Sequence, residues 1–271
     1  MDWMTKGIVT AITVALLLAI ARVFGRRTAG LLAGLPTVTG PALVWLALDH
    51  GARYATEAAI GSVAACALCA VFALAYERAS RHAGVATALA VAIVASLASA
   101  PSLHWLAGAL APALFVAVVV SPAVQAALPR SSDSPQPGRP RGEVVITALA
   151  SGTVTSVVAL CATSVGPFWT GVLASPPLVA AAVVIHQHRT AGHAAVCGFL
   201  HGYVGGLLGR AVFGAGFAIL IAPVGVTTAT LIASLVGGGL GVAASYLRGP
   251  AKTVAAPQWL PPSTSERPTP R

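Results

Sequence analysis

Acidic side chains are scarce in this chain. Seven Asp and Glu stand among 271 residues, and sixteen Lys and Arg bring the charged share to only 8%. A globular domain surrounded by water carries about 25% charged residues, so this chain cannot cover itself with a hydrated surface. The same shortage argues against an intramembrane enzyme, which needs convergent acids or a nucleophile beside a base. Cysteine is sparse as well. Cys66, Cys69, Cys161 and Cys197 all fall inside apolar runs, where disulfides are not expected and small apolar packing is the default role. The CxxC spacing of Cys66 and Cys69 therefore reads as packing. The segments GVLAS and GLLAG lack the Lys-Ser/Thr of a phosphate loop, and no other nucleotide signature is present.

What fills the chain is hydrocarbon. Hydrophobic residues make up 56% and the mean hydropathy is +0.84. Apolar windows of about 17 to 25 residues, the length that crosses about 30 Å of lipid, recur over nearly the whole length. They are continuous and rich in Ala, Leu and Val, unlike the alternating strands of a barrel. The fold class expected is an all-α polytopic membrane protein of about ten transmembrane helices. The spans fall near 7–24, 29–48, 57–76, 83–100, 105–127, 144–163, 168–187, 192–209, 211–224 and 226–247. Met1 to Arg27 carries one lysine before its apolar run and arginines after it, the pattern of a retained span. The net charge of +9 resides in loops and tails. There it sets orientation and meets anionic lipid, with no nucleic acid implied.

Four regions follow: a first membrane half over 1–128, a flexible linker over 129–143, a second half over 144–248 and a Pro-rich tail over 249–271 expected to be disordered. The halves are related. Displacing the chain by 141 residues pairs Gly30 with Gly171, Leu32 with Leu173, Ala33 with Ala174, Pro36 with Pro177, Val38 with Val179, Gly51 with Gly192, Gly61 with Gly202 and Val63 with Val204. Coincidence among common residues is the competing reading. Five helices per half is an odd number, so a repeated half enters the membrane from the opposite side, as in many secondary transporters. With the amino terminus outside, Arg26, Arg27, Arg78, Arg81, Arg130, Arg139, Arg141 and Arg189 lie inside, while Lys6, Arg53 and Arg210 lie in outer loops. Arg248 and Lys252 then also fall outside, against the positive-inside rule. Nine crossings, with 211–224 re-entrant, would reverse that.

The stretch TAGLLAGLPTVTGPALVWLALDHGARYATEAAIGS carries a resemblance. Arg26 and Arg27 form a basic loop, Ala29-Gly30-Leu31 follows, Pro36-Thr37 interrupts an apolar helix, and Asp49 to Arg53 make a polar turn. In this it resembles the GlpM-like family of small bacterial inner-membrane proteins, over roughly residues 5 to 100 and more faintly from Trp169. That family consists of single units, whereas this chain looks like two fused. The resemblance implies a multi-pass place in the bacterial inner membrane and an association with transport or exopolysaccharide production, and it carries over no catalytic residue.

Pro36 and Pro41 each remove a backbone donor from the second span, with Thr37, Thr39, Gly34 and Gly40 around them. Ser175, Pro176 and Pro177 interrupt the seventh. Carbonyls freed in lipid need partners in protein or in a wet cavity, and broken helices at matching places in two halves point to a midplane site. Ordinary proline kinks are the alternative. The substrate-binding candidates are Pro36, Thr37, Thr39, Gly40, Ser175, Pro176 and Pro177. Asp49 and Glu57 are candidates for proton coupling, against a plain interfacial role in which Arg53 pairs with Glu57; Glu77 and Glu143 read as loop residues. His193, Cys197 and His201 lie on one helical stripe after His186 and His188. His201 joins the coupling candidates. No metal is assigned, because no carboxylate accompanies the stripe and three ligands over about 12 Å cannot share one ion.

These residues imply a secondary transporter or exporter of a small metabolite, alternating between two inverted halves. The alternative is a non-transporting membrane subunit that supports envelope polysaccharide or lipid assembly. Expected partners are the bilayer and a small-molecule substrate, with a homodimer or an envelope-assembly complex left open. No enzyme activity and no cofactor are expected.

Overall fold

The computed structural model describes residues 3–21, 36, 39–129, 141–175 and 177–247. The linker from 130 to 140, the tail beyond 247 and most of the first-half break, Gly34 and Thr37 included, lie outside the described residues. Every regular element among those described is helical: α1 Trp3–Ala21, α2 Thr39–Ala79, α3 Val85–Ser99, a 3-10 segment Ala100–Leu106, α4 Leu110–Ala127, α5 Arg141–Val165, α6 Pro167–Leu173 and α7 Leu178–Leu247. Four stretches, Thr39–Ala79, Val85–Leu106, Leu110–Ala127 and Ala180–Gly241, are long and apolar enough to cross a membrane. The chain is a helical membrane protein.

Two of these helices are jointed. α2 turns at Gly51 (φ 86°, ψ 171°), and α7 turns at Gly192 (φ 77°, ψ −177°) and Gly225 (φ 80°, ψ 168°). A Cβ clashes in this backbone region, so glycine is the residue that lets two helices abut there. Between Gly192 and Gly225 the backbone stays helical, with Pro223 in its last turn. The stretch 193–224 is therefore one rod of about 48 Å, where the sequence suggested two spans at 192–209 and 211–224. Its glycines serve packing rather than turning. Gly214, for example, faces Val63 and Ser62 of α2. The seventh expected span, 168–187, is divided into α6 and the start of α7 by the turn at Ala174 to Pro177.

α2 is the central rod, packed by α3, α4, α6 and α7, and its most apolar window is 78% buried. By contrast, the equivalent windows of α3 and α4 are mostly open, with Leu97, Trp105 and Phe115 facing outward, as lipid-facing surface does. Without a hydrophobic force between helices in lipid, close packing through small residues holds them together. Gly61 meets the backbone of Phe168, and Gly171 meets that of Ala58, so α2 and α6 cross backbone to backbone. On the other side, α1 lies along α5.

Several positions 141 residues apart have similar local geometry. The displacement pairs the joints Gly51 and Gly192, and it pairs Gly84, which opens α3, with the joint Gly225. The Gly40 N–H donates to the Pro36 carbonyl at 2.8 Å, and the Ala181 N–H donates to the Pro177 carbonyl at 2.6 Å. Corresponding positions also touch each other. Cys66 Sγ lies 3.7 Å from the Leu207 carbonyl, Arg210 Nη1 lies 3.8 Å from Cys69 Sγ, and a Cβ on Gly152 would stand 3.0 Å from that of Ala11. Replacing Gly171 by Ala should cost about 1 to 3 kcal/mol through overpacking against Ala58. Gly238, with open space around it, should tolerate the same change, and thermal unfolding in detergent compares the two.

Candidate functional site

The turn between α6 and α7 is where the backbone departs from its own hydrogen bonding. Ala174 N–H still donates to the Thr170 carbonyl and Ser175 N–H to the Val172 carbonyl. Past Ser175 the chain turns at Pro177, and the Ser175 carbonyl is taken over by side chains from two other helices. Cys69 Sγ of α2 donates to it at 3.2 Å, and Arg210 Nη2 of α7 donates at 3.1 Å. The freed carbonyl is thus met by protein donors rather than by open water.

Arg210 carries the chemistry of this place. The sequence reading put it in an outer loop, but it sits within the 193–224 rod with 5% of its surface exposed. Its partners are a carbonyl and a thiol. Among the described residues no carboxylate pairs with it, and its Nε has no acceptor. The Ser175 hydroxyl is likewise buried and without a partner among them. Tyr203, two turns earlier on the same helix face, is buried beside Cys69 and Arg210. An unpaired cation in an apolar interior is costly, and one whose donors are only partly used is suited to an anion brought in from outside.

Several candidates converge here. Ser175 is buried and Pro177 partly so, and α2 opens with the buried Thr39 and Gly40. A Cβ on Gly40 would stand 3.5 Å from the ring of Phe213, one turn beyond Arg210. Both proline-flanked segments therefore abut the same stretch of the long rod. Pro36 is partly buried, whereas Thr37 and Pro176 lie outside the described residues.

The coupling candidates are placed elsewhere. Asp49 lies about 15 Å along the helix from Thr39, where it forms an ion pair with the buried Lys6. Lys6 is thus a helix residue of α1 rather than a loop charge. Glu57 lies past the Gly51 joint, 4.0 Å from a freely exposed Arg53. His201 stands about 14 Å from Arg210 along the rod, and its carbonyl accepts the Gln125 amide at 3.1 Å. The structure brings none of the three to the α6–α7 turn.

Glu77 is the second residue that the sequence misplaced. It is fully buried at the end of α2 and supplies the carboxylate that His193 and Cys197 lacked. Arg210 left one faint signal, a charge inside an otherwise apolar run, whereas Glu77 stands at the polar end of its run and left none. Arg210 is the one Lys or Arg between Arg189 and Arg248.

If the guanidinium serves a ligand rather than the fold, Arg210→Met should leave thermal stability unchanged or raise it. Exchanging buried ionic groups for apolar ones of similar volume is often neutral or stabilising, by up to about 4 kcal/mol. The Ser175 carbonyl keeps its Cys69 donor in that variant. The chain matches no protein-family model, no curated protein and no solved structure.

Proposed function

We propose that this chain is a secondary transporter or exporter of a small metabolite bearing an anionic group. The observation that carries the reading is Arg210, a buried guanidinium with no acid beside it among the described residues, set against the helix break marked by Ser175 and Pro177. Broken membrane helices supply unwound backbone and helix amino termini to substrates near the midplane, and the amino-terminal end of α7 adds partial positive charge to the same place. In this reading Arg210, Ser175 and the opening of α2 bind the substrate, and the two units rock about them.

The inverted arrangement takes a specific form. The paired joints and the contacts between equivalent residues support units of four spans each: α1 to α3 with the Gly51 joint, and α5 to α7 with its joints at Gly192 and Gly225, where α6 and the start of α7 share one span. α4 and the linker connect them, in place of a fifth helix in each half. With 193–224 as one span, the chain crosses nine times. Arg248 and Lys252 then fall on the same side as Arg78 and Arg81, and Lys6 and Arg210 leave the loop count altogether. The positive-inside rule is then satisfied more fully than with ten crossings. The expected setting is a bacterial inner membrane.

Two measurements test this. A protease site placed in the tail should be cut only from the face that carries Arg78; cleavage from the other face would overturn the nine-span arrangement. In sealed vesicles, the protein should exchange small carboxylates or phosphate esters in counterflow. Arg210→Met should lower that flux at least about thirtyfold, the equivalent of about 2 kcal/mol for a lost buried charge contact. No flux, together with copurification with an envelope synthase, would favour the assembly subunit.

A further inference from the structure

At one end of the crossing between α2 and α7, five polar side chains meet, Glu77, Ser80, Arg81, His193 and Cys197, with His188 beside them. Glu77 lies at the last turn of α2, fully buried. Its Oε1 accepts from Arg81 Nε and Nη2, both at 2.7 Å, and its Oε2 has no partner among the described residues. Directly after the Gly192 joint, His193 Nε2 stands 3.3 Å from Cys197 Sγ and 4.0 Å from Glu77 Oε1. One ligand atom from each of Glu77, His193 and Cys197 falls within 4.8 Å of the others.

The histidine is held in a ligating form. Ser80 Oγ donates its one hydrogen to the Glu77 carbonyl at 3.0 Å. Toward His193 Nδ1, 3.2 Å away, it can then only accept. With the ring proton of neutral His193 on Nδ1, Ser80 Oγ accepts from it and the lone pair on Nε2 points toward Cys197 and Glu77. Metal-bound histidines are fixed in this way by an acceptor on the second nitrogen.

We propose that Glu77, His193 and Cys197 form a site for a divalent transition-metal ion, of the kind zinc fills. Imidazole, thiolate and carboxylate together suit zinc. Bonds of about 2.3 Å to sulfur and about 2.0 Å to nitrogen in a tetrahedron place the two ligand atoms about 3.5 Å apart, close to the 3.3 Å observed. On binding, the Cys197 thiol releases its proton to water and forms the sulfur bond. The His193 Nε2 lone pair and the idle Glu77 Oε2 complete three ligands, and water takes the fourth position. Arg81 keeps Oε1 and orients the carboxylate. The His193 side chain is 38% exposed, which gives an ion a way in.

The arrangement occurs once. Under the displacement of 141, the positions equivalent to Glu77, His193 and Cys197 are Ala218, Ala52 and Thr56. The site is therefore not a packing device inherited by both halves. It would pin the end of α2 to the rod immediately beyond a glycine joint, and it does not depend on the transport reading.

The test uses full-length protein in detergent, stripped with a chelator and titrated separately with Zn²⁺ and Co²⁺. One equivalent of Zn²⁺ should bind, and Co²⁺ should give a thiolate-to-cobalt charge-transfer band. Cys197→Ser should abolish the band, His193→Gln should weaken Zn²⁺ binding at least about tenfold, and Ser80→Ala should weaken it about tenfold through the lost orientation. These variants keep the Arg81–Glu77 pair, so folding is preserved. Failure to bind Zn²⁺, or a cobalt band that survives Cys197→Ser, would overturn the proposal.

Discussion

The structure depends on one crossing, that of the central helix with the long rod 193–224. Lipid offers no hydrophobic push between helices, so association rests on how closely backbones approach. Gly214 admits Val63 and Ser62, and Gly61 and Gly171 let α6 seal the other face of the central helix. Around this crossing the outer helices turn leucine, phenylalanine and tryptophan to the bilayer. Every polar feature described above is anchored to one of the two crossing rods or to the turn that abuts them.

The crossing also decides how buried charge is managed. Lys6 has Asp49, and Glu77 has Arg81. Both are ion pairs, the usual remedy for a charge away from water. Arg210 is treated differently, with a carbonyl and a thiol as its partners. Among the described residues no acid neutralises this cation, which lies beside the segment in which a helix gives up its own hydrogen bonds. That contrast, more than the number of broken helices, separates this place from an ordinary kink.

The helical membrane class was legible because it follows from composition, and the joints were legible because glycine and proline mark them. Gly51 and Gly192 form one of the pairs found at a displacement of 141, and both are joints. The glycines of GYVGGLLG misled for the same reason. A glycine that turns the chain and one that admits a neighbouring helix look alike in sequence, and only the partner across the interface tells them apart. Arg210, flanked by Gly209, was accordingly read as a loop residue, and the rod was cut in two beside it. Glu77 was lost to a similar error, since an acid followed by arginine resembles a helix end facing water. Its meeting with His193 joins residues more than a hundred positions apart, which local pattern cannot supply.

The contact between Cys69 and Arg210 has one more implication. In the inverted arrangement proposed above, residues that meet their own counterparts would lie where the operation relating the units leaves space nearly unmoved. A carrier that exchanges the roles of its two units reverses everything distant from that line and hardly displaces what lies on it. A guanidinium placed there would face both entrances in turn, so a carrier of the proposed kind would need one such charge instead of two.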